Sequence, residues 1–248
     1  MLDKPDAKNP FSTVRNQEAT LFAPFCINDG MNEKGFMCTY LQLEYEATMQ
    51  DRGKTKMVSN WFLRILPDNC ETVSEAIALM DKFDLCSVFQ DTDMDLHYLL
   101  ADANGDRALV EYVEDQMYVL RAPEIFGEEE PYVVATNFYL TPGRRVDRET
   151  GLWELDELGF WRFDQLCESL SKNATPSRAE AMGYMQNVRI IFNDRDEMEF
   201  LARQGLDPEN INSWTWMSLW SVVYNSKNLS LDVCLRENYD KKFSFGLK

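Results

Sequence analysis

"LHYLLADANGDRALVEYV", residues 96–113, decides the architecture of this chain. Two apolar runs of strand length flank a turn centred on Asn104-Gly105, a dipeptide suited to tight reversal because both residues tolerate positive φ. Strands joined that way are antiparallel. Downstream, "QMYVL" (116–120) and "PYVVATNF" (131–138) read as a third and a fourth strand. Upstream, "FMCTYLQLEY" (36–45) has the β-branched and aromatic content of another. "SNWFLRILPDNC" (59–70) ends at a Pro-Asp-Asn turn. A helix over 74–83 follows, because Thr72 and Glu75 form a capping box ahead of Ala76, Ile77, Leu79, Met80 and Phe83 at helical spacing.

Further along, residues 141–156 are polar and loop-like. From Gly159 the period becomes helical through "GFWRFDQLCESLSKN". A second helix starts after Thr175, which can cap it, with Pro176 in its first turn. "SLWSVVYNSKNLSLDVCL" (218–235) forms a closing hairpin and "KKFSFGL" (241–247) a last short strand. Strands, then helices, then strands make an α+β protein with antiparallel sheets and helices on their faces, not the βαβ alternation of a parallel sheet. The 248 residues, 45% of them hydrophobic, suffice for one domain spanning 1–248.

A net charge of −17 opposes binding to nucleic acid or to an anionic membrane, both of which demand a basic footprint. No apolar run approaches the roughly 20 residues of a membrane span. The opening "MLDKPDAKNPF" lacks the apolar core of a signal peptide, so the expectation is a soluble, cytoplasmic protein. Six cysteines (26, 38, 70, 86, 167 and 234) occur without a CxxC pair and with one histidine, so neither a metal nor another cofactor is expected. The thiols read as buried and reduced, with Cys26 or Cys38 as an ordinary reactive thiol the weaker alternative. His97 lies within an apolar strand and reads as a strand residue rather than a catalyst.

Two side-chain amides sit where a strand meets a turn: Asn32 in "DGMNEKG" (29–35) and Asn137 in "VVATNF" (133–138). Such an amide can donate to an oxyanion, as acyl transfer requires; it can equally close its own turn. Gly30 and Gly35 permit positive φ or a close approach of the backbone. Arg162, between Trp161 and Phe163, is either a solvated surface residue or a guanidinium directed at a nucleophile. Trp220 and Tyr224 share one strand and read as core.

In this order, "FAPFCINDGMNEKGF" (22–36), "LHYLLADANGDRALVEYV" (96–113), "YVVATNF" (132–138), "GFWRFDQL" (159–166), "TPSRAEAMGYMQNV" (175–188) and residues 219–247 resemble the choloylglycine hydrolase family. These are the linear amide C–N hydrolases that include bile salt hydrolases and penicillin V acylases. The resemblance implies an Ntn-hydrolase-like four-layer αββα sandwich with antiparallel sheets. It also implies amide cleavage by an N-terminal Cys whose α-amino group is the base, an oxyanion hole built from two Asn, and a late Arg near the thiol. Carried over by motif, the two Asn are Asn32 and Asn137, and the late Arg is Arg162. "DGMNEKG" begins at residue 29, earlier than in the family, so the chain is expected to be the larger C-terminal portion of such a domain, truncated before its nucleophile and inactive alone. Cys26, Arg15 and Asp29 are not expected to replace the missing groups, and apolar edges around Leu21–Phe25 are expected to lie uncovered. The expected partner is a small-molecule amide, with a homo-oligomer possible in this family. Residues 121–131 and 141–156 are the loops expected to select the substrate. The alternative is a non-catalytic binding or assembly protein that keeps the fold.

Overall fold

The structure is a computed structural model that describes residues 27–44, 47–87, 94–142, 155–189 and 218–247. Its elements in chain order are β1 (Asp29–Met31), β2 (Met37–Glu44), β3 (Thr55–Val58), α1 (Phe62–Asn69), α2 (Val73–Met80), β4 (Phe83–Cys86), β5 (Met94–Ala101), β6 (Arg107–Val113), β7 (Gln116–Leu120), α3 (Ala122–Phe126), α4 (Leu155–Lys172), α5 (Arg178–Asn187), β8 (Trp220–Asn225), β9 (Ser230–Leu235) and β10 (Lys242–Gly246). One sheet runs β1-β2-β5-β6-β7 and a second runs β10-β9-β8, both antiparallel throughout. A third pair, β3 with β4, is parallel. The two helices between them supply the crossover that a parallel pair needs.

The 96–113 hairpin forms as its sequence requires. Asp102 Oδ1 accepts the amides of Asn104 (2.8 Å) and Asp106 (3.2 Å), and Gly105 takes φ +91°. Its other oxygen accepts Val73 N at 3.0 Å, meeting one of the unpartnered donors at the start of α2. The turn thereby attaches the hairpin to a helix. Alternation along the strands divides the core: Leu96, Tyr98, Leu100, Ala108, Val110 and Tyr112 face α1 and α2, where Phe62, Leu63, Leu66, Val73, Ala76 and Met80 meet them. Leu109 and Leu120 face the opposite way, against Ile125, Val134, Phe138 and Phe163. Both faces are covered, which is why β5 and β6 read as nearly continuous apolar runs.

Four local expectations change. Residues 59–70 are a 3-10 turn leading into α1, which continues past Pro67 to Asn69. Proline there removes the amide that would bond Leu63 O; the Cys38 thiol meets that carbonyl instead, at 3.7 Å. Residues 131–138 belong to no strand and run as irregular chain, their polar groups taken by side chains rather than by a ladder. Within the expected 121–131 loop, α3 forms and ends at Gly127 with φ +83°. The cap of α5 is Ser177 rather than Thr175, in a capping box with Glu180. The α2 capping box of Thr72 and Glu75 is present as expected.

In the second sheet, the register puts Trp220, Val222, Tyr224, Leu231, Val233, Phe243 and Phe245 on one face. The other face carries Ser221, Asp232 and Ser244, and Arg178 at the start of α5 docks on it through Asp232. Cys26, Arg15, Leu21–Phe25 and the 143–154 part of the expected specificity loop lie outside the described residues.

Candidate active site

The segment 132–142 crosses the inner face of the five-stranded sheet, and α4 packs over it through Phe160, Phe163 and Leu166. Gly159 lets the helix come close: a Cβ there would lie 3.3 Å from the Phe138 ring and 3.7 Å from Asn137 N. One helical turn on, Arg162 Nη2 donates to Asn137 Oδ1 at 2.6 Å. A guanidinium has no acceptor, so this contact fixes which end of the amide faces it. The amide nitrogen therefore points away and donates one hydrogen to Gln42 O at 2.8 Å. Its second hydrogen has no protein acceptor among the described residues. Burial lowers the Arg162 pKa from its usual value.

Asn32 is held elsewhere, and its hydrogen-bonding capacity is filled. Nδ2 donates to Pro67 O (2.9 Å) and Cys70 O (2.7 Å), while Oδ1 accepts Lys34 N and Phe36 N, both at 3.0 Å. Its main-chain N–H bonds Phe36 O at 3.0 Å, and its carbonyl accepts Gly35 N. The carbonyls it takes are those left open where α1 ends, so the residue caps that helix while closing the β1–β2 turn. Its anchor Phe36 and Asn137's anchor Gln42 are separated by six residues of β2, about 20 Å of strand. The structure thus brings Asn137 and Arg162 together and places Asn32 in the turn at the other end of the strand.

Gly35 takes φ +80°, and a Cβ on it would meet Ser226 O at 2.5 Å, so the glycine of "NEKG" is where the β8–β9 turn touches the β1–β2 turn. Asp29 joins the same two regions. Trp220 Nε1 donates to its Oδ2 at 2.8 Å, and the Tyr224 hydroxyl donates to its Oδ1. Burial first, then this bond to Asp29, raises the Tyr224 pKa. Between these contacts and α4 opens a groove of about 550 Å³ whose walls include Leu41, Leu99, Val133, Leu166, Val222 and Tyr224. Trp220 and Tyr224, read from sequence as core, line this groove.

Two buried ionisable residues share one sheet face: His97, in a strand as read from sequence, and Glu111, which the sequence reading did not single out. His97, on β5, and Glu111, on β6, meet at 3.1 Å between Nδ1 and Oε1, both fully buried. A glutamate in the middle of an apolar strand was the signal available, because a carboxylate is almost never fully buried without a partner. Cys38 is buried and its thiol is pushed up to about 12 by burial, with the nearby Asp29 charge adding. That environment suppresses the thiolate and removes Cys38 as an ordinary reactive thiol. Among the described residues, no group of three or more His, Cys, Asp or Glu side chains converges as a metal site. No described helix is long and apolar enough to cross a membrane.

The fold has solved relatives. A mutant of the conjugated bile acid hydrolase from Clostridium perfringens matches with a TM-score of 0.61 and 17% identity, over 90% of this chain and 73% of that one. A second variant of the same hydrolase gives 0.56 and 15%, over 89% and 73%. Penicillin V acylase from Agrobacterium tumefaciens gives 0.53 and 18%, over 86% and 63%. At such identities the likeness is one of fold, the Ntn-hydrolase fold expected from sequence. No curated protein sequence matches the chain. A family model does match, over residues 18–139, a stretch that takes in both candidate asparagines. That stretch is similar to the linear amide C–N hydrolases of the choloylglycine hydrolase family.

Proposed function

We propose that the protein hydrolyses the C–N bond of linear N-acyl amides, with Asn137 as an oxyanion donor oriented by Arg162. The observation that carries this reading is the Arg162–Asn137 contact. It locks the amide oxygen and leaves one Nδ2–H without an acceptor among the described residues, on a segment whose Val133, Val134 and Ala135 line an apolar groove. The acyl portion of the substrate would lie in that groove, against Leu41, Leu99 and Leu166. Small-molecule sites combine apolar walls with a few fixed polar groups in this way.

The nucleophile in this reading is a cysteine thiolate, as the family resemblance implies, supplied outside the described residues at the N-terminus of the mature protein. The thiolate sulfur adds to the amide carbonyl, and the carbonyl π pair moves onto oxygen. The resulting oxyanion accepts the free Nδ2–H of Asn137. Collapse expels the amine, which takes up a proton, and water then cleaves the acyl thioester to a carboxylic acid and the thiol. Charge-assisted donation from Arg162 polarises the Asn137 amide and makes its remaining N–H a stronger donor. Asn32 supports the site from a distance by fixing the β1–β2 turn against α1.

The test is hydrolysis of a panel of N-acyl amides by the full-length protein, with the mature N-terminus read by sequencing and intact mass. Amine release by wild type and a loss of roughly 10²–10³ in kcat for Asn137→Ala are expected. Unchanged turnover in Asn137→Ala overturns the assignment of the donor. Binding of the amides without cleavage favours a non-catalytic binding protein of the same fold.

A further inference from the structure

We propose that His97 and Glu111 are positioning residues that set the orientation of Asn137, an inference that rests on the amide-hydrolase reading above. The segment carrying Asn137 has no strand ladder to hold it, yet two side chains of the neighbouring sheet pin it at both ends. His97 Nε2 lies 2.7 Å from Thr136 O. Glu111 takes the other end, with Leu140 N at 3.0 and 3.1 Å from its two oxygens, Thr141 N at 2.8 Å and Thr141 Oγ1 at 2.6 Å. Asn137 sits between the two pins.

The first pin acts on Asn137 directly. Thr136 C=O and Asn137 N–H belong to one peptide unit, no peptide in the described residues is cis, and in a trans unit the two groups point in opposite directions. Holding the carbonyl toward His97 therefore directs the Asn137 N–H away from β5, and a Cβ on Gly159 of α4 would lie 3.7 Å from that nitrogen. Thr136 Oγ1 donates to Gly159 O at 2.9 Å, which ties the same residue to the helix that carries Arg162.

The pair is also chemically self-consistent. Both ring nitrogens of His97 are engaged, one by a carbonyl and one by a carboxylate, so the ring is fixed at both ends. Glu111 accepts from three donors besides the ring, Leu140 N, Thr141 N and Thr141 Oγ1, and so functions as the carboxylate. Burial disfavours that form, but the bonds from His97, Thr141 and Leu140 outweigh it and hold its pKa below the usual value. Asp95, on the same face, is kept apart by its own bonds to Thr48. Among the described residues its hydrogen bonds go to Thr48 and Leu96 rather than to segment 132–142.

The experiment compares full-length wild type with His97→Gln, Glu111→Gln and Asp95→Asn. The last is a control, a buried carboxylate of the same sheet face whose hydrogen bonds do not go to the segment. Thermal melting and separate kcat and KM are measured for each on an amide that the wild type cleaves. The expected result is a fall of about 10² in kcat for His97→Gln and Glu111→Gln, the scale of an ångström-size misplacement, with KM within about threefold. Asp95→Asn should lower the melting temperature and leave kcat within about threefold of wild type. Equal kcat losses in all three variants, or unchanged kcat in folded His97→Gln and Glu111→Gln, overturn the positioning role. Absence of any activity in wild type overturns the hydrolase reading, and the positioning role with it.

Discussion

Arg162 on α4 donates to the side-chain oxygen of Asn137 across 2.6 Å, and in doing so fixes which way that amide faces. The relationship is directional. Guanidinium nitrogens cannot accept, so the amide cannot flip without placing two donors face to face.

The first prediction concerns that pair. Arg162→Lys keeps a positive charge but loses the planar fork that locks the amide, and Arg162→Ala loses both. Turnover on N-acyl amides should fall by about tenfold for the lysine variant and about 10² for alanine, with melting temperatures little changed. Steady-state kinetics on purified variants check it; equal rates in all three proteins would remove Arg162 from the site.

The second concerns the cap. Asn32→Ala removes four side-chain bonds and reopens the carbonyls of Pro67 and Cys70. The expected destabilisation is about 2–3 kcal/mol, or about 5–10 °C in melting temperature. Asn32→Asp should be at least as damaging at neutral pH, because a carboxylate would face two carbonyl oxygens in place of two donors. Urea unfolding of both variants decides between this and a turn that tolerates substitution.

Gly35→Ala supplies the third. Its φ of +80° strains any L side chain, and the new Cβ would sit 2.5 Å from Ser226 O, a backbone atom that cannot rotate away. A loss of at least about 2 kcal/mol is expected. Gly53→Ala is the control: its φ is also +80° but nothing lies within 4 Å, so it should cost about 1 kcal/mol, the backbone strain alone. Equal losses at the two positions would show that the contact with Ser226 contributes nothing.

The fourth is a pH dependence. Burial alone would raise the Asp232 pKa; bonds from Ser244, Arg178 and Lys242 reverse that and lower it from 3.8 to about 2. A carboxylate depressed in the folded state contributes stability that is complete above its unfolded value. That contribution is lost as pH falls through the folded one. Unfolding free energy should therefore drop between about pH 4 and about pH 2, and Glu111, also depressed, adds in the same direction. Asp232→Asn should flatten the Asp232 part of that slope and lower stability at neutral pH by about 1–3 kcal/mol. Denaturant melts across the acid range measure both.

What a short window of sequence contains is what this chain made legible. The Asn104-Gly105 turn, the Thr72–Glu75 capping box and the closing hairpin each depend on residues a few positions apart, and each formed as read. Where a side chain meets its partner far along the chain, local pattern carried no information. Pro67 read as a stop because the missing amide is a local fact, yet α1 continues beyond it. The carbonyl that the proline strands is met by Cys38, 25 residues away. "YVVATN" has the composition of a strand, but the carboxylate of Glu111 and the ring of His97 take the main-chain groups a neighbouring strand would have taken.

By itself, then, the sequence determined the antiparallel hairpins, the α2 capping box and the likeness to a hydrolase family. Alternation, caps and turn residues act through neighbours on the chain. Tertiary structure alone decided that Asn32 caps a helix 35 residues later, that Gly35 must clear Ser226, and that Arg162 orients Asn137. An amide has the same composition whether it closes a turn or faces a ligand. Which of its donors is already spent depends on the atoms that folding places within about 3 Å of it.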